Sequence, residues 1–168
     1  MHNTTPMSEL NYTIRFAIRE DMNELILMCH EHALYEQSLY AHEGKSEKLF
    51  QHLFSVTPAL YCIIVEDHAG IIGYASYMKE FSTWEADYYI HMDCLYLREH
   101  ARNHGIGLVM IKKIALHAAE INVGFMQWQT PALNTRAIEF YHRLGAHSKK
   151  KLRMYLDIKT FLNKNNLN

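Results

Sequence analysis

The chain has 168 residues, of which 49% are hydrophobic and 12% aromatic, and its formal net charge is −1. This length predicts one domain over residues 1–168 with short disordered ends, at about 1–10 and 163–168, and the composition excludes a disordered chain. A near-neutral charge without a sustained basic face argues against nucleic acid as a partner. The first residues lack the pattern of a signal peptide, and no apolar run approaches ~18 residues, so we expect a cytoplasmic protein that does not enter a membrane.

The spacing of apolar residues predicts six strands and five helices. The expected strands cover 12–18, 60–66, 71–79, 88–97, 124–130 and 151–157, and the expected helices start at Asp21, at a Ser46 cap, near His104, at an Asn134 cap and at about 158. Hairpins join the early strands, whereas helices separate the later ones. This order predicts an α/β (α+β) fold in which a mixed, mostly antiparallel sheet carries helices on both faces.

Two helices have more specific signals. The helix from about His104 to Ile121 places Leu108, Ile111, Ala115 and Ala118 on one apolar face. The helix that Asn134 caps carries Ala137, Ile138, Tyr141 and Leu144, and Gly145 is its expected C-terminal stop. Cys29, Cys62 and Cys94 are widely spaced in apolar surroundings, which is typical of reduced thiols.

The segment "RNHGIG" (102–107) raises a specific question, because glycine is costly near a helix. The first N–H groups of a helix have no partner within the helix and bind phosphate well. A side chain at position 105 or 107 would obstruct a ligand that approaches this backbone. The spacing Arg-x-x-Gly-x-Gly between a strand and a helix therefore indicates a phosphate cradle, although a flexible loop before an ordinary helix has the same appearance.

Here the sequence resembles a known family. "RNHGIG" after the strand "MDCLYL" is similar to motif A of the GNAT superfamily of acetyl-CoA-dependent N-acetyltransferases, and "NTRAIEFYHRLGA" (134–146) is similar to a second segment of that family. The segments "LYE" (34–36) and "FSTWEADYYIHMDCLYL" (81–97) resemble its diamine, or spermidine/spermine-type, branch. The resemblance implies the GNAT fold, acetyl-CoA as cosubstrate, no metal, a small amine as substrate and a homodimer.

The resemblance also implies roles for individual residues. Tyr141 matches a tyrosine that protonates the departing thiolate, and Asp93 stands where the branch has a glutamate, as a candidate base. Tyr141 is also typical of a core aromatic, and Asp93 of a structural hydrogen-bond acceptor. The implied acetyl-CoA contacts are Leu95, Tyr96, Leu97, Arg102, Asn103, His104, Gly105, Ile106, Gly107, Leu108, Asn134 and Ala137.

Candidate substrate-binding residues are Tyr35, Glu36, Trp84, Gln127 and Trp128. Carboxylates suit this role because a cationic acceptor needs counter-charges, and a carboxylate can take the proton that the amine must lose. The favoured function is therefore transfer of an acetyl group to a primary amine of a polyamine-like acceptor. An aminoglycoside, an amino acid or a protein N-terminus remains an alternative acceptor, and a non-catalytic CoA-binding sensor an alternative class.

The chain also has twelve histidines. His30 and His32 do not share a helix face, because residues two apart point in different directions. The sequence therefore predicts surface histidines at these positions rather than metal ligands.

Overall fold

The computed structural model describes residues 10–41 and 43–165. Its contacts divide the chain into two compact units, Met1–Pro131 and Ala132–Asn168. The first unit contains β1 (Thr13–Phe16), α1 (Met22–Tyr35), α2 (Lys45–Leu53), β2 (Tyr61–Asp67), β3 (Gly70–Ser82), β4 (Asp87–Leu97), α3 (Ile106–Glu120) and β5 (Met126–Trp128). The second unit contains α4 (Thr135–Arg143) and α5 (Ile158–Lys164).

The five strands form one sheet in the order β1-β2-β3-β4-β5. The first three pairings are antiparallel, and only β5 runs parallel to its neighbour β4. The predicted turn between β2 and β3 is present, where the Ala69 N–H donates to the Asp67 side chain over 2.8 Å. The mixed, mostly antiparallel sheet expected from the sequence is confirmed.

Both faces of the sheet are covered. On one face, Cys62 and Ile64 of β2 pack in a core cluster with Leu25 and Met28 of α1 and Leu53 of α2. Side chains alternate along a strand, so Tyr61 belongs to the opposite face. There its ring lies 4.8 Å from that of His117 of α3.

An ion pair fixes the start of α1. Arg15 of β1 donates to both carboxylate oxygens of Asp21 at 2.7 and 2.9 Å, and the Ile18 N–H donates to Asp21 at 2.8 Å. Burial opposes the charged form of Asp21, but the hydrogen bonds from Arg15 and Ile18 prevail and lower the pKa of the carboxyl group. The expected cap of α2 differs, because α2 begins at Lys45 after Gly44, whose φ is +67°, rather than at Ser46.

The predicted apolar face of α3 is confirmed only at Ala118. The buried residues of this helix are Ile106, Met110, Ile114 and Ala118, whereas Leu108 is 37% exposed. The helix contains apolar residues around much of its circumference, so periodicity permits more than one face. Packing against the sheet selects the buried one.

The second unit confirms the cap and the stop of α4. The Asn134 side chain accepts from the Ala137 N–H over 3.2 Å, and Gly145 has φ +91° directly after the helix. The predicted strand 151–157 is wrong, because these residues are irregular and exposed. Alternating apolar residues favour a strand, but a strand also needs a partner edge, and this segment pairs with none of the described strands.

Parts of the predicted disordered ends, residues 1–9 and 166–168, lie outside the described residues, whereas residues 163–164 belong to α5. All three cysteines are free thiols, as the sequence predicts, and burial raises the pKa of each. Across the described ranges, no helix has both the length and the apolar character that a membrane span requires.

Candidate active site

Asp93 lies at a β-bulge in β4. Tyr77 of β3 is opposite Met92, and the preceding Ser76 is opposite Cys94, so the register leaves Asp93 as the extra residue. Its side chain is exposed, and the Cys94 thiol donates to its carboxylate over 3.7 Å. Burial, helped by the negative charge of Asp93, raises the pKa of Cys94 to about 12, so this thiol stays protonated. Bulges re-aim side chains, and this one turns a carboxylate out of a buried strand.

The same strand has an open backbone edge after the bulge. The register of β5 against β4 covers Ile90 to Met92 only. The Arg98 N–H donates to Ile72 of β3 over 2.9 Å. Because backbone groups alternate in direction along a strand, those of Leu95 and Leu97 point away from β3. Among the described residues, the part of β4 after Met92 therefore has a neighbouring strand, β3, on one side only.

The loop before α3 contains two residues in the left-handed conformation. Asn103 and Gly105 have φ values of +67° and +77°, and a Cβ built at Gly105 would meet no atom within 4 Å. The helix begins at Ile106, and the Leu108 N–H donates to the Gly105 carbonyl over 3.1 Å. Asparagine tolerates the left-handed conformation better than most residues. The first turn of α3 is therefore approachable along its N–H groups.

Arg102 links this loop to the end of α1. Its Nε donates to the Leu97 carbonyl over 2.8 Å. Its guanidinium carbon lies 4.3 Å from the centre of the Tyr35 ring and 5.6 Å from that of Tyr96. The side chain of Arg102 therefore holds the loop against α1 and β4.

His32 is not a surface residue, and the prediction that it would be is wrong. Its side chain is only 12% exposed, its Nδ1 lies 3.1 Å from the Tyr74 hydroxyl, and its Nε2 lies 3.4 Å from Oε1 of Glu36. Its ring stacks on Tyr96 at 5.1 Å. We call the group formed by His32, Glu36, Tyr74, Tyr96 and Arg102 the His32 cluster. The four-residue spacing of His32 and Glu36 was the sequence signal for it.

Burial lowers the pKa of His32, while the charges of Glu36 and Asp93 oppose this change and that of Arg102 adds to it. The carboxylates of Glu36, directly after α1, and Asp93, on β4, thus both favour the protonated form of the same imidazole. The His32 cluster thereby connects Glu36 with the bulge at Asp93.

The other predicted substrate residues are not all near this point. Trp84 is 93% exposed in the turn between β3 and β4, beyond the pair Ser82–Asp87. Asp93 lies six positions after Asp87 along the strand, which corresponds to about 20 Å. Trp128 lies opposite Met92, directly before the bulge, and its neighbour Gln127 lies one position further away.

The remaining predicted residues belong to the second unit. Ala137 and Tyr141 lie four residues apart on α4 and share a face. Tyr141 is half-buried, and its ring lies 5.2 Å from that of Phe140. This unit is strongly basic, with eight Lys and Arg residues against two Asp and Glu. The near-neutral charge of the whole chain conceals this asymmetry, because the first unit has nine basic and sixteen acidic residues.

Within residues 10–41 and 43–165, no three His, Cys, Asp or Glu side chains are placed to hold a metal ion.

Comparison with known proteins identifies the family. The model of the Acetyltransferase (GNAT) family matches residues 17–146. Thialysine N-epsilon-acetyltransferase of Bos taurus is 28% identical over 141 residues, which cover 79% of this chain and 82% of that protein. D-amino-acid N-acetyltransferase HPA3 of Saccharomyces cerevisiae is 30% identical over 81 residues, or 48% of this chain and 50% of the relative.

A solved structure supports the fold. The integron cassette protein VCH_CASS6 from the mobile metagenome of V. cholerae aligns with a TM-score of 0.72 at 22% identity, covering 92% of this chain and 97% of the other. The family match includes β4 with Asp93, the loop before α3 and the capped helix α4. The chain therefore belongs to the Acetyltransferase (GNAT) family and is an acyltransferase.

Proposed function

We propose that the protein transfers the acetyl group of acetyl-CoA to a primary amine of a small cationic, polyamine-like acceptor. One observation carries this proposal: β4 combines two features. Its bulge exposes the Asp93 carboxylate, and its edge after the bulge is open and leads to the loop with Gly105. The relatives that act on thialysine support an amine as the acceptor.

The residues present fit acetyl-CoA. The N–H groups at the start of α3, approachable over Gly105, suit the pyrophosphate. The edge at Leu95–Leu97 suits an amide-containing arm, although Arg102 occupies the Leu97 carbonyl. Asn134 and Ala137 of the second unit are also assigned to acetyl-CoA. The basic second unit suits a polyanion. When bound, acetyl-CoA supplies an acetyl group activated as a thioester.

The carboxylates of Asp93 and Glu36 are assigned to binding and deprotonating the acceptor amine. A protonated amine is not a nucleophile, so Asp93, directly or through a water, accepts the proton that the reacting nitrogen loses. Glu36 binds the distal ammonium, and Tyr35, the residue before it, is assigned to the same side of the acceptor. These groups lie on α1 and β4, which the His32 cluster joins.

Tyr141 is assigned to the leaving group. The departing thiolate is stabilised by a proton from a nearby acid, and a phenol has the right chemical type. Its position on α4, on the face of Ala137 and one turn further on, is consistent with this role.

We also propose a cytoplasmic homodimer. Phe81, Trp84 and Tyr88 are 54%, 93% and 46% exposed near the tip of the β3–β4 hairpin, which supports a contact surface there. We therefore assign Trp84 to this contact surface rather than to the acceptor wall of its own chain. A dimer mass in light scattering at micromolar concentration is expected, and a monomer mass would contradict the dimer.

The experiment is an acceptor screen with acetyl-CoA, in which the release of free thiol is followed for diamines, aminoglycosides, amino acids and short peptides. Diamines are expected to be the best acceptors. Asp93→Asn should lower kcat by at least about tenfold. The usual contribution of a general base is about 10²-fold or more. Asp87→Asn is the matched control, because this exposed carboxylate lies on the same strand but away from the bulge. Turnover of peptides alone, or equal effects of both variants, would refute the proposal.

A further inference from the structure

We propose that His32 is a positioning residue that orients the Glu36 carboxylate toward the acceptor and, when protonated, cancels its charge. This inference rests on the proposed function, because it takes Glu36 as the group that binds the distal ammonium. It gives a role to a residue of the "HEH" segment of α1, whose histidines the sequence predicts at the surface.

The imidazole of His32 is held on three sides. Its two nitrogens face two different partners, the Tyr74 hydroxyl at 3.1 Å and Glu36 at 3.4 Å. The plane of the ring stacks on Tyr96 at 5.1 Å and 22°. With 12% of the side chain exposed, the ring has little freedom to turn away from Glu36.

The partners define the tautomer. The ionised Glu36 carboxylate at Nε2 can only accept, so the neutral ring carries its hydrogen on Nε2. Nδ1 is then the acceptor for the Tyr74 hydroxyl, which keeps its proton because burial raises the pKa of Tyr74 far above its ordinary value. Because Tyr74 is 2% exposed in the centre of the sheet, it is a fixed point from which this chain of hydrogen bonds extends to an exposed carboxylate.

Protonation of the ring changes the charge that the acceptor meets. The groups around the ring are Glu36 directly after α1, Tyr74 on β3, Asp93 and Tyr96 on β4, and Arg102 before α3. With a neutral ring, the negative charge of Glu36 is available to a cation. With a protonated ring, the pair is neutral and the acceptor loses its counter-charge. Since burial lowers the pKa of His32, this change occurs on the acid side of the ordinary histidine range.

The test measures the Michaelis constant for a diamine between about pH 5.5 and pH 7.5, in the wild type and three variants. In the wild type, the constant should rise by about threefold or more toward acid pH. His32→Gln keeps an amide donor for Glu36 but cannot titrate, so the acid-side rise should disappear. His32→Leu should raise the constant about tenfold at every pH with less than a threefold change in kcat. The exposed His52→Gln is the matched control and should behave as wild type.

A second readout does not need activity. In an NMR titration, the ring signal assigned to His32 by its loss in His32→Gln should shift to a lower pKa in Glu36→Gln, because the favourable charge is removed. An unchanged titration would overturn the pairing. If Glu36→Gln raises the Michaelis constant but His32→Gln keeps the wild-type pH dependence, the positioning role is refuted while the proposed function stands. If no diamine reacts, the proposed function fails, and the titration still decides whether His32 and Glu36 interact.

Discussion

Gly73 of β3 offers a direct test of how the sheet shapes the proposed acetyl-CoA strand. A Cβ built at Gly73 would lie 2.9 Å from the Tyr96 carbonyl oxygen and would overlap the Leu97 side chain. An ordinary contact needs a separation larger by about 0.5 Å, so Gly73→Ala forces the end of β4 to move. Overpacking of this kind costs ~1–3 kcal/mol. The displaced residues are Leu95 to Leu97, so the affinity for acetyl-CoA should fall about tenfold, which equals ~1.4 kcal/mol.

The matched control is Gly124→Ala. No atom lies within 4 Å of a Cβ built at Gly124, and the residue does not have a left-handed φ, so its replacement should be nearly neutral. The free energy of unfolding in urea and the dissociation constant of acetyl-CoA by calorimetry are to be measured for both variants. The steric argument is refuted if the free energies of unfolding of Gly73→Ala and Gly124→Ala differ by less than ~0.5 kcal/mol and both variants bind acetyl-CoA equally well.

Three further predictions concern other parts of the molecule. Tyr141→Phe should lower kcat by at least about tenfold without changing the acetyl-CoA affinity by calorimetry, and wild-type turnover would reject its role as the acid. Gly107→Val should abolish the heat of acetyl-CoA binding while circular dichroism shows an unchanged fold; an unaltered affinity would contradict the phosphate cradle. Asp21→Asn should lower the free energy of unfolding by about 2 kcal/mol at pH 7, because it breaks the ion pair with Arg15. The pKa of Asp21 is lowered in the fold, so this stabilisation is present above the unfolded value of about 3.9 and is lost as pH falls through the folded value. The difference in urea midpoint between the wild type and Asp21→Asn should therefore be smaller at pH 3 than at pH 7. An equal difference at both pH values would show that the ion pair is not the cause.

Several features of the fold were predictable because their causes are local. The Asn134 cap and the Gly145 stop depend on side-chain and backbone preferences within one turn of helix. The turn of the β2–β3 hairpin follows from neighbouring residues in the same way. The order of strands and helices was sufficient to predict a mixed sheet covered on both faces.

Other features depended on contacts between distant residues. The extra residue at Asp93 results from the register of β4 against β3, which no local pattern in either strand specifies. The sequence predicts His32 at the surface, and only the packing of Tyr74 and Tyr96 from the sheet encloses its ring. The sequence by itself determined most of the elements and the cap and stop of α4, because these follow from short-range preferences. The tertiary structure decided which helix face is buried, which carboxylate turns outward and which histidine meets it, because pairing and packing join residues that are far apart in the chain.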